Sequence, residues 1–280
     1  MGRVSVITGG AGGMGLAAAK ILGRDRTVVI ADVRQDRLDS AAAQLNAIDI
    51  NCTAMSCDIT DRTAVAQLAA TAAGLGTVTS VVHTAGVSPS MASSERITAI
   101  NALGAVNVNE AFYEIAAPGF AMVNVASMAA HMMPPAMYPT RMFQAALSDQ
   151  HAFLKKAMRT YRLAPERFRP GMAYSLSKTF VRWYCKSQAE RFGSRGARIL
   201  SVSPGSIDTE MGRLEESTGS GALARRSALR RFGTAEEVAE VLAFCASEKA
   251  SYLTGIDVVC DGGSLAAVRL RDKLTMARES

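Results

Sequence analysis

The chain has 280 residues, of which 49% are hydrophobic and 20% charged, and its net charge is +6 at pH 7. These proportions are typical of a globular protein and exclude a disordered or collagen-like chain. Five cysteines and three histidines show no metal-ligand spacing, which predicts reduced thiols and no metal site.

The chain opens with a β-branched run at residues 4–7, a glycine-rich segment at 8–15 and an apolar, helix-forming segment at 16–22. A strand, a glycine turn and a helix in this order place backbone amides and a helix N-terminus where a pyrophosphate can bind. Gly9, Gly13 and Gly15 satisfy one spacing of this motif, and Gly9, Gly12 and Gly15 satisfy another. The segment therefore predicts a dinucleotide cradle.

A second strand at residues 27–31 ends in Asp32, about 20 residues beyond the glycine turn, where a ribose-binding acid is expected. A carboxylate here accepts hydrogen bonds from the ribose hydroxyls and repels a 2′-phosphate. Arg34 follows and could moderate that repulsion. The pattern favours NAD over NADP.

Strand and helix patterns continue to alternate. Helices are predicted at 61–73 and 95–116, and strands at 78–82 and 120–125. This repetition predicts an α/β fold with a Rossmann-like, doubly wound parallel sheet in three layers. No linker or internal repeat divides the chain, so residues 1–280 are expected to form one domain.

Tyr174 and Lys178 are four positions apart in a segment that also carries Val181 and Trp183. At this spacing two side chains share one face of a helix. An ammonium beside a phenol favours the phenolate, which predicts a lowered pKa for Tyr174. An ordinary amphipathic helix would also explain the pair, so its interpretation depends on partners elsewhere in the chain.

These motifs together resemble the short-chain dehydrogenase/reductase family over nearly the whole chain, from residues 8–15 to residues 252–255 and 261–263. The resemblance implies catalytic roles for Asn101, Ser127, Tyr174 and Lys178. It implies that the following residues bind the cofactor: Gly9, Gly13, Met14, Gly15, Asp32, Asp58, Ile59, Ala85, Gly86, Tyr174, Lys178, Ile207 and Thr209. Thr84 stands where the family usually has asparagine, which puts one hydrogen bond of the local turn in doubt.

The resemblance also implies a mechanism. Ser127 would hydrogen-bond the reacting oxygen, and Tyr174 would transfer the proton as general acid or base. Lys178 would lower the pKa of the tyrosine and hold the nicotinamide ribose, while Asn101 would anchor a water that links Lys178 to solvent. Asp58 and Ile59 would contact the adenine, and Ile207 and Thr209 the nicotinamide carboxamide.

Tyr174 follows Ser127 by 47 residues, whereas the family joins these two residues by one short loop. A helical insertion is therefore expected at about 128–173. The helical pattern at 141–163 places on one stripe Phe143, Leu147, Leu154, Met158 and Tyr161. Residues 128–173 also hold seven of the chain's 14 methionines, a residue that suits adaptable apolar surfaces.

The insertion has two open interpretations. It either packs on the core or roofs the active-site cleft for a steroid-like or lipid-like alcohol or ketone. An insertion at this point resembles the bacterial 3α-hydroxysteroid dehydrogenase/carbonyl reductase branch. The expected activity is thus an NAD(H)-dependent oxidoreductase that interconverts a secondary alcohol and a ketone on a bulky apolar substrate.

Two alternatives remain. The resemblance implies that residues 210–232 form a mobile substrate lid, which is rich in glycine and serine. Its four arginines (Arg225, Arg226, Arg230 and Arg231) form either a solvated face or a site for an anionic handle such as coenzyme A. The second reading predicts a 3-hydroxyacyl-thioester dehydrogenase or 3-oxoacyl reductase. In a different class, the fold could serve a non-catalytic dinucleotide sensor, although a sensor has no reason to keep the catalytic set.

Partners and location follow from the same features. No apolar run is long enough to span a membrane, and no signal-peptide pattern precedes the first strand. A basic composition alone does not identify a partner, so no nucleic acid is expected. The reduced thiols indicate a cytoplasmic protein. The resemblance implies a homodimer or homotetramer, in which the insertion could replace the usual tetramer interface.

Overall fold

Seven parallel strands form the central sheet of the computed structural model, which describes residues 2–215 and 221–267. The strands are β1 (Arg3–Thr8), β2 (Thr27–Asp32), β3 (Cys52–Ser56), β4 (Thr77–His83), β5 (Ala121–Val125), β6 (Arg198–Pro204) and β9 (Asp257–Cys260). Their order across the sheet is β3-β2-β1-β4-β5-β6-β9. They are rich in valine and isoleucine and largely buried, as expected for a parallel sheet covered on both faces.

Helices cover both faces of the sheet. The helices are α1 (Gly13–Leu22), α2 (Gln35–Asn46), α3 (Arg62–Leu75), α4 (Ser94–Thr98), α5 (Ala105–Glu114), α6 (Thr140–Ser148), α7 (Gln150–Tyr161), α8 (Arg169–Ser187), α9 (Ala189–Gly193), α10 (Glu210–Leu214), α11 (Gly221–Arg226), α12 (Ala235–Ala246) and α13 (Ser264–Ala267). Helices α1, α2 and α12 share one apolar core, and α3, α5 and α8 share the other. The predicted three-layer, doubly wound fold is confirmed.

Two short strands lie apart from the central sheet. Strands β7 (Ile207–Asp208) and β8 (Gly233–Thr234) pair with each other outside the main sheet. Helix α12 begins with the expected capping box, in which Thr234 and Glu237 each bond the other's backbone amide. Of the expected lid, residues 216–220 lie outside the described part of the chain. No helix of the described part combines the length and the hydropathy needed to cross a membrane.

The helix predicted at 95–116 is interrupted. A π-helical turn, Ala99–Gly104, separates α4 from α5 and contains Asn101. Such turns insert one extra residue into a helix and are frequent at functional sites. The prediction of a single regular helix was therefore wrong at the position that matters for the site.

The helical stretch predicted at 141–163 is also divided. Asp149 ends α6 and caps α7, where its side chain accepts a hydrogen bond from the amide of Ala152. Leu147, expected on the buried stripe, lies near the end of α6 and is 40% exposed, and the break changes the helical phase of α7. The fully buried positions of α7 are instead Phe153, Ala157 and Tyr161.

Helices α6 and α7 form a hairpin that packs on the body of the protein. Phe143 is fully buried, and its ring lies 5.3 Å from Phe180 and 5.4 Å from Trp183, both on α8. The Tyr161 hydroxyl lies 3.1 Å from the Thr98 hydroxyl of α4. The hairpin thus extends the core over α4 and α8, as the first interpretation of the insertion expected.

Candidate active site

The carboxyl ends of β1 and β4 lie side by side at the point where the strand order reverses. In open parallel sheets this crevice is the usual ligand site. The turn after β1 enters it, and Gly9 and Gly13 adopt positive φ angles of 69° and 50°. These conformations favour glycine because a Cβ would be strained there.

The glycine turn is closely packed on one side and open on the other. A Cβ on Gly15 would lie 2.2 Å from the carbonyl oxygen of Gly9, whereas a Cβ on Gly12 would meet no atom within 4 Å. Helix α1 begins at Gly13, so the amides of Gly13, Met14 and Gly15 belong to its first turn. A phosphate would fit this arrangement of free amides, helix dipole and open space.

Thr84 supplies the turn hydrogen bond that its departure from asparagine had put in doubt. Its hydroxyl donates to the carbonyl oxygen of Thr8 at 2.8 Å, and it lies 3.3 Å from the carbonyl oxygen of Gly9. A Cβ on Gly9 would lie 2.7 Å from the amide nitrogen of Ala85. The segment after β4 is therefore packed directly against the glycine turn.

Asp32 ends β2 at the same edge of the sheet. Its carboxylate accepts a hydrogen bond from the amide of Arg34 at 3.2 Å. The guanidinium of Arg34 pairs with Asp36 at 2.5 Å, so its charge is engaged away from Asp32. The backbone of Cys57 donates to the oxygen of Asp32, which places the following Asp58 beside it.

Asp58 and Ile59 stabilise the turn after β3. The carboxylate of Asp58 accepts bonds from the amide and the hydroxyl of Thr60 at 2.8 and 2.7 Å. Ile59 is buried, and a Cβ on Gly104 would lie 2.6 Å from its side chain. These contacts hold both residues at the edge of the crevice where Asp32 lies.

Asn101 lies in the π-helical turn and hydrogen-bonds the segment that follows β4. Its side chain accepts from the amide of Val87 and donates to the carbonyl oxygen of Val87, both at 2.9 Å. A Cβ on Gly86 would lie 3.0 Å from Asn101 Oδ1 and 3.5 Å from Lys178 Nζ. Gly86, Asn101 and Lys178 therefore converge, and the π turn is what brings the asparagine into this position.

Ser127 follows β5 and is buried. Its hydroxyl oxygen accepts a hydrogen bond from the amide of Ala129 at 3.1 Å. A second hydrogen bond joins it to the phenol of Tyr174. The serine and the tyrosine, 47 residues apart in the chain, thus meet in space.

The electrostatics of Tyr174 differ from the expectation. Burial raises the pKa of the phenol; the hydrogen bond from Ser127 acts in the opposite direction, and the charge of Glu215 raises the pKa further. Lys178 was expected to lower this pKa, but its ammonium donates to the main-chain oxygen of Val125 at 2.9 Å. Burial lowers the pKa of Lys178 to about 8. The ammonium therefore bonds the end of β5, and its Nζ lies 5.9 Å from the centroid of the Tyr174 ring.

Thr209 lies across the crevice from the glycine turn. A Cβ on Gly13 would lie 3.5 Å from the methyl carbon of Thr209. The hydroxyl of Thr209 caps α10 by accepting a hydrogen bond from the amide of Gly212. Ile207, two residues earlier, is buried. The predicted residues on β1, β4, β5, α8 and the segment after β6 are therefore brought to one crevice.

Glu215 is a site residue that the sequence did not indicate. It accepts a hydrogen bond from the amide of Ser90 at 2.9 Å and acts electrostatically on Tyr174. Glu210, earlier on the same segment, pairs with Arg37 of α2 at 2.6 Å. These two contacts tie the start of the expected lid to both ends of the crevice. No sequence signal distinguishes these two carboxylates from the others of the chain.

A turn of 3-10 helix, Met128–His131, continues from Ser127 and lies along α8. Ser175 donates to the carbonyl oxygen of Ala129 at 2.9 Å, and Arg182 donates to that of Ala130 at 2.8 Å. The sequence analysis missed these residues. Their signal is polar side chains at spacings of four and three along a largely buried helix (Ser175, Thr179 and Arg182).

The chemistry available in the crevice is acid-base and hydrogen-bonding chemistry. Among residues 2–215 and 221–267, no group of three or more acids, cysteines or histidines could hold a metal ion. A half-buried phenol joined to a serine hydroxyl can exchange a proton with a bound alcohol or carbonyl. The amides of the glycine turn and the carboxylate of Asp32 suit a dinucleotide.

Comparison with known proteins places this geometry in context. A family model described as short chain dehydrogenase matches residues 3–140, and one described as Enoyl-(Acyl carrier protein) reductase matches residues 158–264. The residues between the two matches, 141–157, comprise α6 after its first residue and the first two thirds of α7.

Full-length relatives are similar to this chain. It is 29% identical to the short-chain dehydrogenase/reductase bsc3 of Alternaria brassicicola, over 95% of this chain and 97% of that protein. It is 29% identical to D-threitol dehydrogenase of Mycolicibacterium smegmatis, over 94% and 92% of the two chains. A dehydrogenase/reductase structure from Sinorhizobium meliloti 1021 shares the fold, with a TM-score of 0.76, 22% identity and coverage of 94% and 95%.

Proposed function

Because the chain belongs to the short-chain dehydrogenase/reductase family, we propose that it interconverts a secondary alcohol and a ketone by NAD(H)-dependent hydride transfer. The observation that carries this proposal is the meeting of Ser127, Tyr174 and Lys178 beside the glycine turn. A non-catalytic sensor would have no use for a half-buried phenol bonded to a serine.

The residues divide the work. Ser127 holds the reacting oxygen through its hydroxyl, and Tyr174 gives up or takes the proton at its phenolic oxygen. Lys178 holds the nicotinamide ribose and brings positive charge near the phenol. Asn101 fixes the segment after β4 and anchors a water on the path from Lys178 to solvent. The nicotinamide ring, when bound, supplies the hydride acceptor or donor.

NAD is proposed as the cofactor rather than NADP. Asp32 lies where the ribose hydroxyls would bind, and its negative charge disfavours a 2′-phosphate. The guanidinium that could offset this charge belongs to Arg34, which pairs with Asp36 at 2.5 Å. The amides of Gly13, Met14 and Gly15 would hold the pyrophosphate. Asp58 and Ile59 would contact the adenine, and Ala85, Gly86, Ile207 and Thr209 the nicotinamide half.

A bulky apolar substrate, steroid-like or lipid-like, is the proposed class. Methionines lie close in sequence to both catalytic residues, Met128 directly after Ser127 and Met172 two residues before Tyr174. Met172 is 38% exposed and Met128 is buried. Flexible, polarizable methionines close to the catalytic residues in the chain suit such a ligand. The hairpin of α6 and α7 packs on α8, the helix that carries Tyr174.

A thioester is the second candidate substrate. Arg225 and Arg226 are exposed on α11, whereas Arg231 pairs with Glu237 at 2.6 Å. The match of residues 158–264 to a family of acyl-carrier-protein reductases favours this alternative. If turnover of a hydroxyacyl thioester depends strongly on its phosphate-bearing end, the thioester becomes the assigned substrate in place of an apolar alcohol.

We further propose a cytoplasmic homo-oligomer. All five cysteines are free thiols, which suits a reducing compartment. The hairpin covers the outer faces of α4 and α8, and the sheet ends at β9 with exposed Ile256 and Val259. An unpaired edge strand with apolar side chains is suited to pairing between copies. A dimer through this edge is the expected form.

Replacement of the proton donor tests the proposed function. We expect Tyr174→Phe to lower turnover at least about 100-fold while NADH binding, followed by nicotinamide fluorescence, stays unchanged. The matched control is Tyr161→Phe, which removes another buried hydroxyl, bonded to Thr98, and should keep turnover. Activity would be measured at the reduced-nicotinamide band with hydroxysteroids, secondary alcohols and hydroxyacyl thioesters. Retained turnover in Tyr174→Phe would overturn the assignment.

A further inference from the structure

The turn that follows Ser127 is bonded to the helix that carries Tyr174. Ser175 donates to the oxygen of Ala129 at 2.9 Å, and Thr179 and Arg182 both reach the oxygen of Ala130, at 3.4 and 2.8 Å. The three side chains occupy one face of α8. The face next to it carries Tyr174 and Lys178, so both halves of the site rest on one helix.

This attachment reaches the hydroxyl of Ser127 directly. The amide of Ala129 donates to Ser127 Oγ at 3.1 Å, and the amide of Ala130 donates to the main-chain oxygen of Ser127 at 2.9 Å. A displacement of the turn would therefore rotate or shift the serine side chain. Because 47 residues of chain separate Ser127 from Tyr174, these non-covalent bonds fix their relative position.

Arg182 is itself held by Asp257, the first residue of β9. The Arg182 Nε lies 3.3 Å from Asp257 Oδ2, close enough for an ion pair but not aligned as a hydrogen bond. The carboxylate also accepts from the hydroxyls of Ser201 and Ser203 on β6, at 2.5 and 2.9 Å. His131, at the end of the turn, donates to Oδ2 at 2.8 Å. One largely buried carboxylate thus joins the turn, α8, β6 and β9.

Resting on the proposed function, we propose that Arg182, oriented by Asp257, is a positioning residue that sets Ser127 Oγ against the Tyr174 phenol. It touches neither substrate nor cofactor. A guanidinium can bridge a carbonyl oxygen and a carboxylate at once because its donors form a fixed fork. Methionine would keep the volume and lose the bridge, and lysine would keep the charge and reach one partner at a time.

The pH dependence of turnover tests the role, because a purely structural residue would not move it. The bond from Ser127 lowers the pKa of Tyr174, so a displaced serine lets that pKa rise. We expect Arg182→Met to lower kcat about tenfold, since small displacements at a reacting centre are costly. The midpoint of its kcat–pH profile should move upward by about one unit, and the KM for NADH should stay unchanged. Arg182→Lys should recover part of both effects.

A double-mutant cycle with Ser127→Ala supplies the second readout. If Arg182 acts through the serine, Arg182→Met has little further effect once the hydroxyl is gone. Asp257→Asn, which keeps the shape of the side chain, should reproduce the upward pH shift if Arg182→Met folds poorly. The matched control is Arg191→Met, which breaks an ion pair of 2.7 Å with Glu110 away from the turn, and it should leave the pH profile unchanged.

The outcomes separate the two proposals. A wild-type protein without dehydrogenase activity overturns the proposed function and this inference with it. If the wild type is active but Arg182→Met and Asp257→Asn keep its pH profile, the positioning role alone is overturned. The positioning role is also overturned if Arg182→Met lowers kcat by the same factor in the wild type and in Ser127→Ala.

Discussion

The ammonium of Lys178 donates a hydrogen bond to the main-chain oxygen of Val125, the last residue of β5, at 2.9 Å. Ser127 lies two residues beyond that oxygen, so one strand end anchors the lysine and the serine together. Burial lowers the pKa of the ammonium to about 8. A charged lysine is therefore retained here at a cost in stability, which a functional role would justify.

Removal of this amine should separate stability from activity. We expect Lys178→Met to lower turnover at least about 100-fold and to raise the free energy of unfolding at pH 7 by about 1–3 kcal/mol. The unfolded lysine keeps its proton up to about pH 10, whereas the native one loses it near pH 8. The unfolding free energy of the wild type therefore rises as the pH increases between these values. Its difference from that of Lys178→Met becomes smaller at pH 10. Lys186→Met, an exposed lysine on the same helix, is the control in urea titrations.

His83 should contribute to acid unfolding. Its imidazole is fully buried against the Thr8 hydroxyl at 2.7 Å, and burial, assisted by the charge of Lys178, lowers its pKa to about 3. Between about pH 6.5 and 3 the unfolded chain binds a proton that the native chain does not, so stability falls as the pH falls through this window. His83→Asn should reduce the loss between pH 7 and 4.5 by about 2–3 kcal/mol. Urea unfolding at both pH values measures this, and the exposed His151→Asn should change nothing.

Asp32 should set the choice of dinucleotide. We expect Asp32→Ala to weaken NADH binding about tenfold and to narrow the ratio of NADH to NADPH affinity, because the carboxylate binds the ribose and repels a 2′-phosphate. Isothermal titration with both nucleotides measures the ratio. Asp39→Ala is the control, since it removes a nearby exposed carboxylate of α2 that accepts a hydrogen bond from Gln35 and does not contact Arg34 among the described contacts. An unchanged ratio in Asp32→Ala would remove the argument for NAD.

Phe143 should matter for stability rather than for chemistry. Its ring is fully buried between Phe180 and Trp183, so Phe143→Ala should cost about 3–5 kcal/mol of unfolding free energy. Fluorescence of Trp183, the only tryptophan of the chain, reports the local change. Below the unfolding transition, kcat and KM should stay within about twofold of wild type. Leu147→Ala, at an exposed position of the same helix, should cost little, and a large rise in substrate KM for Phe143→Ala would instead favour the roof interpretation.

Local patterns sufficed for much of the fold. The alternation of β-branched strands and helices, the glycine turn before α1 and Asp32 at the end of β2 are short-range signals, and the doubly wound sheet follows from them. The capping box of Thr234 and Glu237 is equally local. Residues 99–104 gave no such signal, because a π turn differs from an α turn by one inserted residue and uses the same apolar side chains.

Long-range contacts account for the rest. The break at Asp149 changed which side of α7 is buried, and only the tertiary packing of Phe153 on Phe180 reveals the phase. The bond between Lys178 and Val125, the contact of Glu215 with Ser90 and the bridge from Arg182 to Asp257 join residues that are 53 to 125 positions apart. No pattern in a single sequence reports such pairs.

The long excursion between Ser127 and Tyr174 costs the protein little. Loop-closure entropy grows with the logarithm of length, so each doubling of a connection costs only about 0.6 kcal/mol. Burial of one phenylalanine such as Phe143 contributes about 2–3 kcal/mol, and Phe153 and Tyr161 add to it. The excursion thus offsets its own closure cost. Substitutions at its exposed positions should therefore leave the proton-transfer residues in place.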